Sequence, residues 1–176
     1  EHTVVAVIDS GVDTSHKDFQ TMPKDPKLTA DQMKELIAKL GYGRYVNEKF
    51  PFVHNYVDNS EDDMKPEADE PHGQHVSGII AADGQPNGDK EYVVGVAPEA
   101  QLLQLRVFSA DGTSLDLAKQ IVDAVNLGAD VIQMSLGGGV AAADLGVADQ
   151  KAVQYAVDHG VIVSISASNN GNAASV

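Results

Sequence analysis

The sequence contains no cysteine among its 176 residues. Disulfide bonds, zinc–thiolate centres and cysteine nucleophiles are therefore excluded. It also has no apolar run that approaches the roughly 18 residues of a membrane-spanning helix, so we expect no membrane insertion by this segment. Internal repeats and low-complexity tracts are absent as well. With 43% hydrophobic and 22% charged residues, the chain has the composition of a globular protein, and its length favours one domain.

Basic residues are scarce. There are 12 Lys and Arg residues against 26 Asp and Glu residues, which gives a formal net charge of −14. A field of that sign repels phosphate backbones and anionic lipid surfaces. We therefore expect no nucleic-acid partner, and attraction instead toward cations such as Ca²⁺ and basic polypeptides. Solubility alone is the simpler interpretation of the same charge.

The hydrophobic pattern alternates between strands and helices. A continuous β-branched run at 4–8 predicts a strand buried on both faces. Thr29 and Gln32 form a capping-box pattern that predicts the start of a helix, and Gly41 predicts its end. Further helices are predicted at 72–82 (mostly buried), 114–127 and 148–159, further strands at 102–107, 130–135 and 161–167, and an acidic surface loop at 59–70. This alternation predicts an α/β fold, a parallel sheet with helices on both faces.

Polar residues follow several of these strands. In parallel sheets the chemistry collects at the carboxyl ends of the strands, and Asp9, Ser135 and Asn169 all lie at or just past predicted strand ends. Each residue alone has an ordinary structural explanation, since aspartate after a strand commonly forms a loop and asparagine commonly caps a helix. The glycine run at 137–139 is equally typical of a turn. The combination and its order carry more weight than any single residue.

Five segments carry that combination. They are VAVIDSGVD at 5–13, HGQHVSGIIA at 72–81, GVAP at 95–98, SLGG at 135–138 and SASNNG at 166–171. In this order they closely resemble the segments of the subtilisin-like serine proteases around the catalytic aspartate, the catalytic histidine, the following conserved stretch, the substrate cleft and the oxyanion asparagine. The resemblance covers essentially the whole chain. It implies a three-layer subtilisin-like fold and hydrolysis of peptide bonds in extracellular polypeptides.

The resemblance assigns roles to residues at matching positions. Asp9 would accept a hydrogen bond from His72 and orient its imidazole, and His72 would act as general base and then as general acid. Asn169 would donate a side-chain N–H to the developing oxyanion. Ser135, Leu136 and Gly137 would line the cleft and pair with an extended substrate backbone. Ser168 stands where the family has glycine and would narrow the primary specificity pocket.

The nucleophile is the largest departure from the family pattern. The family's serine lies in a Gly-Thr-Ser-Met-like motif well downstream of the oxyanion asparagine, and we identify no such motif in this sequence. We therefore expect residues 1–176 to be the N-terminal portion of a peptidase domain, with a sheet incomplete at its C-terminal side. Such a chain is inactive unless a serine-bearing downstream fragment of the same protein completes it. The alternative is a catalytically inactive subtilisin-like scaffold that binds peptides or partners.

The resemblance also predicts a branch of the family and a metal site. Asp9 and His72 are further apart than in compact secreted subtilisins, a layout similar to the Gram-positive cell-envelope proteinases: lactocepins and streptococcal C5a peptidase. That implies a secreted or cell-wall-attached, extracellular protein. Catalysis would need no cofactor. Asp18 matches a carboxylate that binds a structural Ca²⁺ in many members, with the loop at 83–93 as a source of further oxygens; a solvated surface aspartate is the alternative.

Overall fold

The computed structural model describes residues 2–62, 64–86, 91–114, 116–136, 146–166 and 169. The strands are β1 (Val4–Asp9), β2 (Phe52–Asn55), β3 (Gln101–Arg106), β4 (Phe108–Ser109), β5 (Gly112–Thr113), β6 (Val131–Met134) and β7 (Ile162–Ile165). The helices are α1 (Ala30–Leu40), α2 (His72–Ala81), α3 (Leu117–Asn126) and α4 (Val147–Asp158). Five strands form one parallel sheet in the order β2-β3-β1-β6-β7, and β4 and β5 form a separate antiparallel hairpin.

Strand β1 lies at the centre of the sheet and is buried along its whole length, as its continuous apolar run predicts. Val4, Ala6 and Ile8 pack into a core shared with α1, α3 and α4, whereas Val5 and Val7 pack on the opposite face with α2. The predicted three-layer arrangement, a parallel sheet with helices on both faces, is confirmed. The strand order reverses at β1, between β3 and β6, and such a reversal opens a crevice at the carboxyl ends of the strands.

The predicted capping of α1 is also confirmed. The Thr29 hydroxyl accepts a hydrogen bond from the Gln32 backbone N–H, and the Gln32 side chain accepts one from the Thr29 N–H at 2.9 Å. Gly41 ends the helix with φ of 88°, in the left-handed region that glycine adopts at low cost.

The start of α3 differs from the prediction. The pattern places it at Ser114, whereas the helix begins at Leu117. Residues up to Thr113 are paired in the β4–β5 hairpin, and the Asp116 carboxylate caps the helix by accepting the Lys119 N–H at 3.2 Å. Local propensity favoured a longer helix, and cross-strand pairing at the hairpin overrides it.

Helix α2 is less buried than predicted. Only Gly73, Ser77 and Ala81 are buried, while Ile79 is 53% exposed, so the prediction of a mostly buried helix is wrong for this chain. The helix therefore packs on the sheet along a single narrow stripe of small residues. Within the described ranges, no helix combines the length and apolar character needed to cross a bilayer.

Candidate active site

Asp9 is the last residue of β1 and is 2% exposed. Its backbone oxygen accepts the Val107 N–H at 2.8 Å, which joins the end of β1 to the residue after β3. Its carboxylate oxygen Oδ1 accepts the Ser10 backbone N–H at 2.7 Å. The carboxylate is thus held in place by the strand and by the turn that follows it, and a buried carboxylate held this way serves as a fixed acceptor.

His72 is the first residue of α2, 63 positions along the chain from Asp9, and its Nδ1 lies 2.9 Å from both Asp9 carboxylate oxygens. The His72 side chain is 46% exposed, whereas the Asp9 side chain is 2% exposed. Because a carboxylate only accepts, the Nδ1 of His72 carries the proton and Nε2 is left as the basic nitrogen. Within the described part of the chain, Nε2 has no hydrogen-bond partner. This arrangement suits a general base that takes a proton from an external hydroxyl.

The close approach of α2 to the end of β1 depends on a glycine. A Cβ at Gly73 would lie 2.4 Å from the Gly11 carbonyl oxygen and 3.1 Å from the Asp9 Oδ1. Real Cβ atoms do not approach backbone oxygen so closely, so any side chain here would push His72 away from Asp9. Glycine beside the histidine is therefore a requirement of the site.

Two side chains tie the segments on either side of this pair together. The Ser10 hydroxyl accepts the Gly73 N–H at 2.8 Å and donates to the Glu70 carbonyl at 3.3 Å. The Gln74 side-chain oxygen accepts the Asp13 N–H at 2.7 Å. Gln74 stands where the family usually has threonine, and its longer side chain reaches the loop after β1. Both contacts hold the start of α2 against that loop.

The loop after β1 contains Asp13, whose carboxylate forms an ion pair with Lys65. The Ser15 hydroxyl donates to Asp13 at 2.6 Å and holds the pKa of that carboxyl below its usual value, and Lys65 at 3.1 Å lowers the pKa further. The ion pair joins this loop to the segment that leads to His72. Because Lys65 is 74% exposed, the pair contributes little to stability.

Ser135 and Leu136 follow β6, the other neighbour of β1, and so lie at the same edge of the sheet as Asp9. The Ser135 hydroxyl accepts from the Gln133 side chain at 2.9 Å, and the Leu136 carbonyl accepts from the Ser166 hydroxyl at 2.7 Å. The predicted pairing of this stretch with a substrate backbone stays a prediction, and its third member, Gly137, lies outside the described residues.

Asn169 is exposed and lies four positions past the end of β7. Because β7 runs parallel to β6, Asn169 follows the strand end at the same edge of the sheet as Ser135. Among the described residues, no recorded hydrogen bond joins Asn169 to Asp9 or His72. Its role as an oxyanion donor stays a prediction. Ser168, predicted to narrow the specificity pocket, lies outside the described residues.

A Gly-Thr-Ser tripeptide does occur at 112–114, upstream of Asn169. The Ser114 N–H donates to the Val107 carbonyl at 2.9 Å, and its carbonyl accepts from the Gln120 side chain at 2.7 Å. Within the described ranges, no hydrogen bond joins its hydroxyl to His72. Ser114 therefore connects the hairpin to α3, and nothing in its contacts marks it as the nucleophile.

Asp18 is 6% exposed and sits beside the loop predicted to supply calcium ligands. Its Oδ2 accepts the Val93 N–H at 3.2 Å, and its Oδ1 faces Gly84, where a Cβ would lie 2.5 Å away. A cavity of about 150 Å³ opens here and is also lined by Lys17, whose ammonium donates to the Glu91 carbonyl. Among the described residues, no group of three or more acidic or histidine side chains could hold a metal ion. Residues 87–90 of the loop lie outside the described residues.

The pattern did not identify Glu67 and Arg106 as parts of this region. Arg106 ends β3 and is fully buried, and its Nη2 lies 2.8 Å from both carboxylate oxygens of Glu67. An arginine inside the strand predicted at 102–107 and the acidic loop predicted at 59–70 are signals that the sequence does contain. Many acidic residues in that loop could have been its partner, and only the tertiary structure selects one.

Comparison with known proteins settles the family. The model of the subtilase family matches residues 1–176. The chain belongs to the subtilase family. The resemblance to subtilisin-like proteases expected from the five segments is thereby confirmed.

Two kinds of relative accompany that match. This subtilase chain is 42% identical, over 99% of its length, to the PII-type proteinase of Lactococcus lactis subsp. cremoris, and 38% identical, over 97%, to the C5a peptidase of Streptococcus pyogenes serotype M1. It spans only 10% and 15% of those proteins. The predicted similarity to the Gram-positive cell-envelope branch is confirmed.

Solved structures agree on the fold. The subtilase chain superposes on a psychrophilic subtilisin-like protease from Pseudoalteromonas sp. AS-11 with a TM-score of 0.65 at 27% identity, covering 97% of this chain and 32% of that one. The patellamide maturation protease gives a TM-score of 0.61 at 27% identity, with 97% and 50% covered.

Proposed function

We propose that residues 1–176 are the N-terminal portion of a serine endopeptidase domain, and that they supply the aspartate, the histidine and the oxyanion asparagine of the reaction. One observation carries the proposal: the imidazole Nδ1 of His72 lies 2.9 Å from both oxygens of the Asp9 carboxylate, which is 2% exposed. This is the geometry of a histidine oriented for general-base catalysis.

The chemistry follows from that orientation. The His72 Nε2 removes the proton from a serine hydroxyl while the serine oxygen bonds to the substrate carbonyl carbon, and the carbonyl oxygen becomes an oxyanion. Asn169 donates a hydrogen bond to that oxyanion. The C–N bond then breaks and His72 returns the proton to the leaving amine. Water repeats the sequence on the acyl-enzyme, and Asp9 stabilises the imidazolium in both halves.

The serine comes from a downstream segment of the same protein. Strand β7 supports this proposal, because it forms an edge of the described sheet and exposes 66% of Ile162 and 45% of Ile165. An apolar edge strand of this kind is a template for a further strand. The serine-bearing segment would extend the sheet there and bring the nucleophile to the carboxyl edge.

The relatives support the substrate class and location. The proteinases of lactococci and the C5a peptidase of a streptococcus are named for action on polypeptides, and both come from Gram-positive bacteria. We propose that this protein likewise cleaves extracellular polypeptides, as a secreted or cell-wall-attached enzyme. The net charge of −14 favours basic segments of such substrates.

A structural Ca²⁺ near Asp18 is a separate proposal. Its support is the buried carboxylate, whose Oδ1 has no hydrogen-bond donor among the described residues. Ca²⁺ would take that oxygen together with backbone carbonyls. Addition of Ca²⁺ should raise the melting temperature of the full-length protein, Mg²⁺ should not substitute, and Asp18→Asn should remove the response. An identical melting temperature with Ca²⁺ and with a chelator would refute the site.

The catalytic proposal is tested by labelling the full-length protein with a fluorophosphonate probe and locating the label by mass spectrometry. We expect label on one serine outside residues 1–176. Asp9→Asn and His72→Ala should slow labelling by at least roughly 10³-fold, since the serine loses its base. His159→Ala, an exposed histidine at the end of α4, is the matched control and should react at the wild-type rate. Label on Ser114 would overturn the location of the nucleophile, and a folded protein without label would be an inactive scaffold.

A further inference from the structure

The helix that begins at His72 lies on the sheet through three small residues. Gly73, Ser77 and Ala81 are the buried residues of α2, and they recur every four positions. Residues at that spacing share one face of a helix, so they form a single stripe against the strands. Apolar contacts between small groups are not directional, and by themselves they do not specify how far α2 lies along the sheet.

A side-chain hydrogen bond joins the middle of this stripe to strand β3. The Ser77 hydroxyl accepts from the side-chain Nε2 of Gln104 at 2.9 Å. Ser77 is 0% exposed and Gln104 is 1% exposed, so the bond lies in the interior between helix and sheet. Because a hydrogen bond has a narrow range of length and angle, this bond fixes the point at which α2 meets β3.

The Gln104 side chain is an unfavourable choice for stability alone. Its Oε1 is buried and accepts no hydrogen bond from the described part of the chain. A buried acceptor without a donor costs free energy, and an apolar side chain of similar size would avoid that cost. Buried polar pairs of this kind can instead specify one arrangement of two packed elements over its neighbours.

The spacing of the contacts agrees on the helix and on the sheet. Ser77 follows His72 by five positions, which is about 7.5 Å along a helix. Gln104 is level with Val7 in the parallel register, two positions before Asp9 and about 6.7 Å along the strand. Both contacts therefore form in the same placement of α2, in which the helix runs back along the strands. A shift of α2 by one residue, about 1.5 Å along its axis and about 100° around it, would break both.

We propose that Ser77 and Gln104 set the position of α2 along the sheet, and so hold the His72 imidazole where it reaches the nucleophile. This inference rests on the proposed endopeptidase function. Both side chains are buried beneath α2 and act through the helix, so they are positioning residues. A displacement of a general base by about 1 Å lowers the rate of reaction by about 100-fold, so the pair should affect kcat more than KM.

The test compares an apolar replacement of the pair with a control in the same strand. Ser77→Ala combined with Gln104→Leu removes both polar groups and leaves neither partner unpaired. Gln101→Leu is the matched control, because Gln101 is also 1% exposed on β3 but bonds to the backbone of Leu28 and Glu48, away from α2. Each full-length protein is labelled with the fluorophosphonate, assayed with a short acyl ester, melted, and analysed by amide hydrogen exchange of residues 72–81.

We expect the double variant to lose about tenfold or more in labelling rate and in kcat, with KM within about twofold of wild type. Its melting temperature should be no lower than that of wild type, and its α2 amides should exchange faster. Gln101→Leu should show the reverse, a lower melting temperature with the wild-type labelling rate, because it loses three hydrogen bonds that do not involve α2.

Three results would overturn the inference. They are a double variant with wild-type kcat, a loss confined to KM, and a loss of kcat accompanied by a lower melting temperature or a failure to fold. If the wild-type protein takes no label, the proposed function is refuted, and hydrogen exchange then decides the placement of α2 by itself. Faster exchange of the α2 amides in the double variant would support the role of the pair, and unchanged exchange would overturn it.

Discussion

The side-chain oxygen of Gln74 accepts the backbone N–H of Asp13 at 2.7 Å, which fastens the first turn of α2 to the loop after β1. Asp9 precedes that loop and His72 precedes Gln74 in the helix. The Gln74 side-chain amide therefore joins the two segments that carry the proposed catalytic pair. Threonine is usual at this position in the family, and its side chain is too short to reach the Asp13 backbone N–H.

Gln74→Met should lower the free energy of unfolding of the peptidase domain by about 1 kcal/mol, because the Asp13 N–H loses its acceptor while the bulk of the side chain is kept. Chemical denaturation of the full-length protein measures this. Gln154→Met removes an exposed amide that donates to Asp158 and should change stability by less than about 0.5 kcal/mol. Equal effects of the two changes would show that the hydrogen bond to Gln74 contributes no more to the free energy of unfolding than an exposed side-chain contact.

Gly73→Ala should lower the fluorophosphonate labelling rate by about 100-fold, since the new Cβ would lie 2.4 Å from the Gly11 oxygen and displace His72. Gly78→Ala is the matched control in the same helix, where a Cβ meets nothing within 4 Å. It should stabilise the protein by about 0.5–1 kcal/mol without loss of labelling. Full reactivity of Gly73→Ala would contradict the close packing described here.

Lys49 should make stability depend on pH in a defined window. It is fully buried, and desolvation lowers its pKa to about 8, although its ammonium donates to the Pro98 carbonyl at 2.5 Å. The unfolded lysine titrates near 10.5. Between these values the unfolded chain binds more protons than the folded chain, so the Lys49 contribution to stability rises with pH from about 8 to about 10.5.

Lys49→Met tests that sign. We expect the difference in unfolding free energy between wild type and variant to shift in favour of wild type by up to about 3 kcal/mol as pH rises through this window. Denaturation curves at pH 7, 8, 9 and 10 measure it. A difference that stays constant with pH, or that moves in favour of the variant, would contradict the buried, desolvated position of the ammonium.

The Asp123 carboxylate should control the pKa of two tyrosine hydroxyls. The hydroxyls of Tyr42 and Tyr56 donate to its Oδ2 at 2.5 and 2.8 Å. Burial, and then the Asp123 carboxylate, raise the pKa of both phenols. Asp123→Ala should therefore lower the pH at which two tyrosines ionise, as followed by ultraviolet absorbance, and destabilise the protein by about 2–3 kcal/mol. Asp31→Ala, an exposed change at the start of α1, should do neither.

Much of the fold could be predicted from local patterns. The buried run of β1, the capping box of α1 and the glycines after α1, α3 and α4 agree with the structure because each depends on residues close together in the chain. Strand β2 could not be assigned from the sequence, because the four residues FVHN after Pro51 show the hydrophobic period of neither a strand nor a helix. Its identity as a strand comes from hydrogen bonding to β3.

The candidate site likewise contains residues that could be predicted from the sequence and contacts that could not. The segments around Asp9 and His72 are recognisable because the chemistry demands particular residue types in a short stretch. The partnership of Arg106 with Glu67 leaves no such local signature, because it joins positions 39 residues apart. The same holds for the placement of Gln74 against Asp13, which are 61 residues apart.

Local patterns in the sequence were sufficient to predict the fold class, the family, and the aspartate and histidine proposed for catalysis, because periodicity and short motifs are local properties of the chain. The contact between the His72 Nδ1 and Asp9, and the hydrogen bond that joins the hairpin to the loop before His72, could be identified only from the three-dimensional structure. These contacts depend on the order of strands in the sheet and on the close approach of backbone at Gly11 and Gly73. Distances of a few ångströms between remote segments arise from packing, which no local pattern specifies.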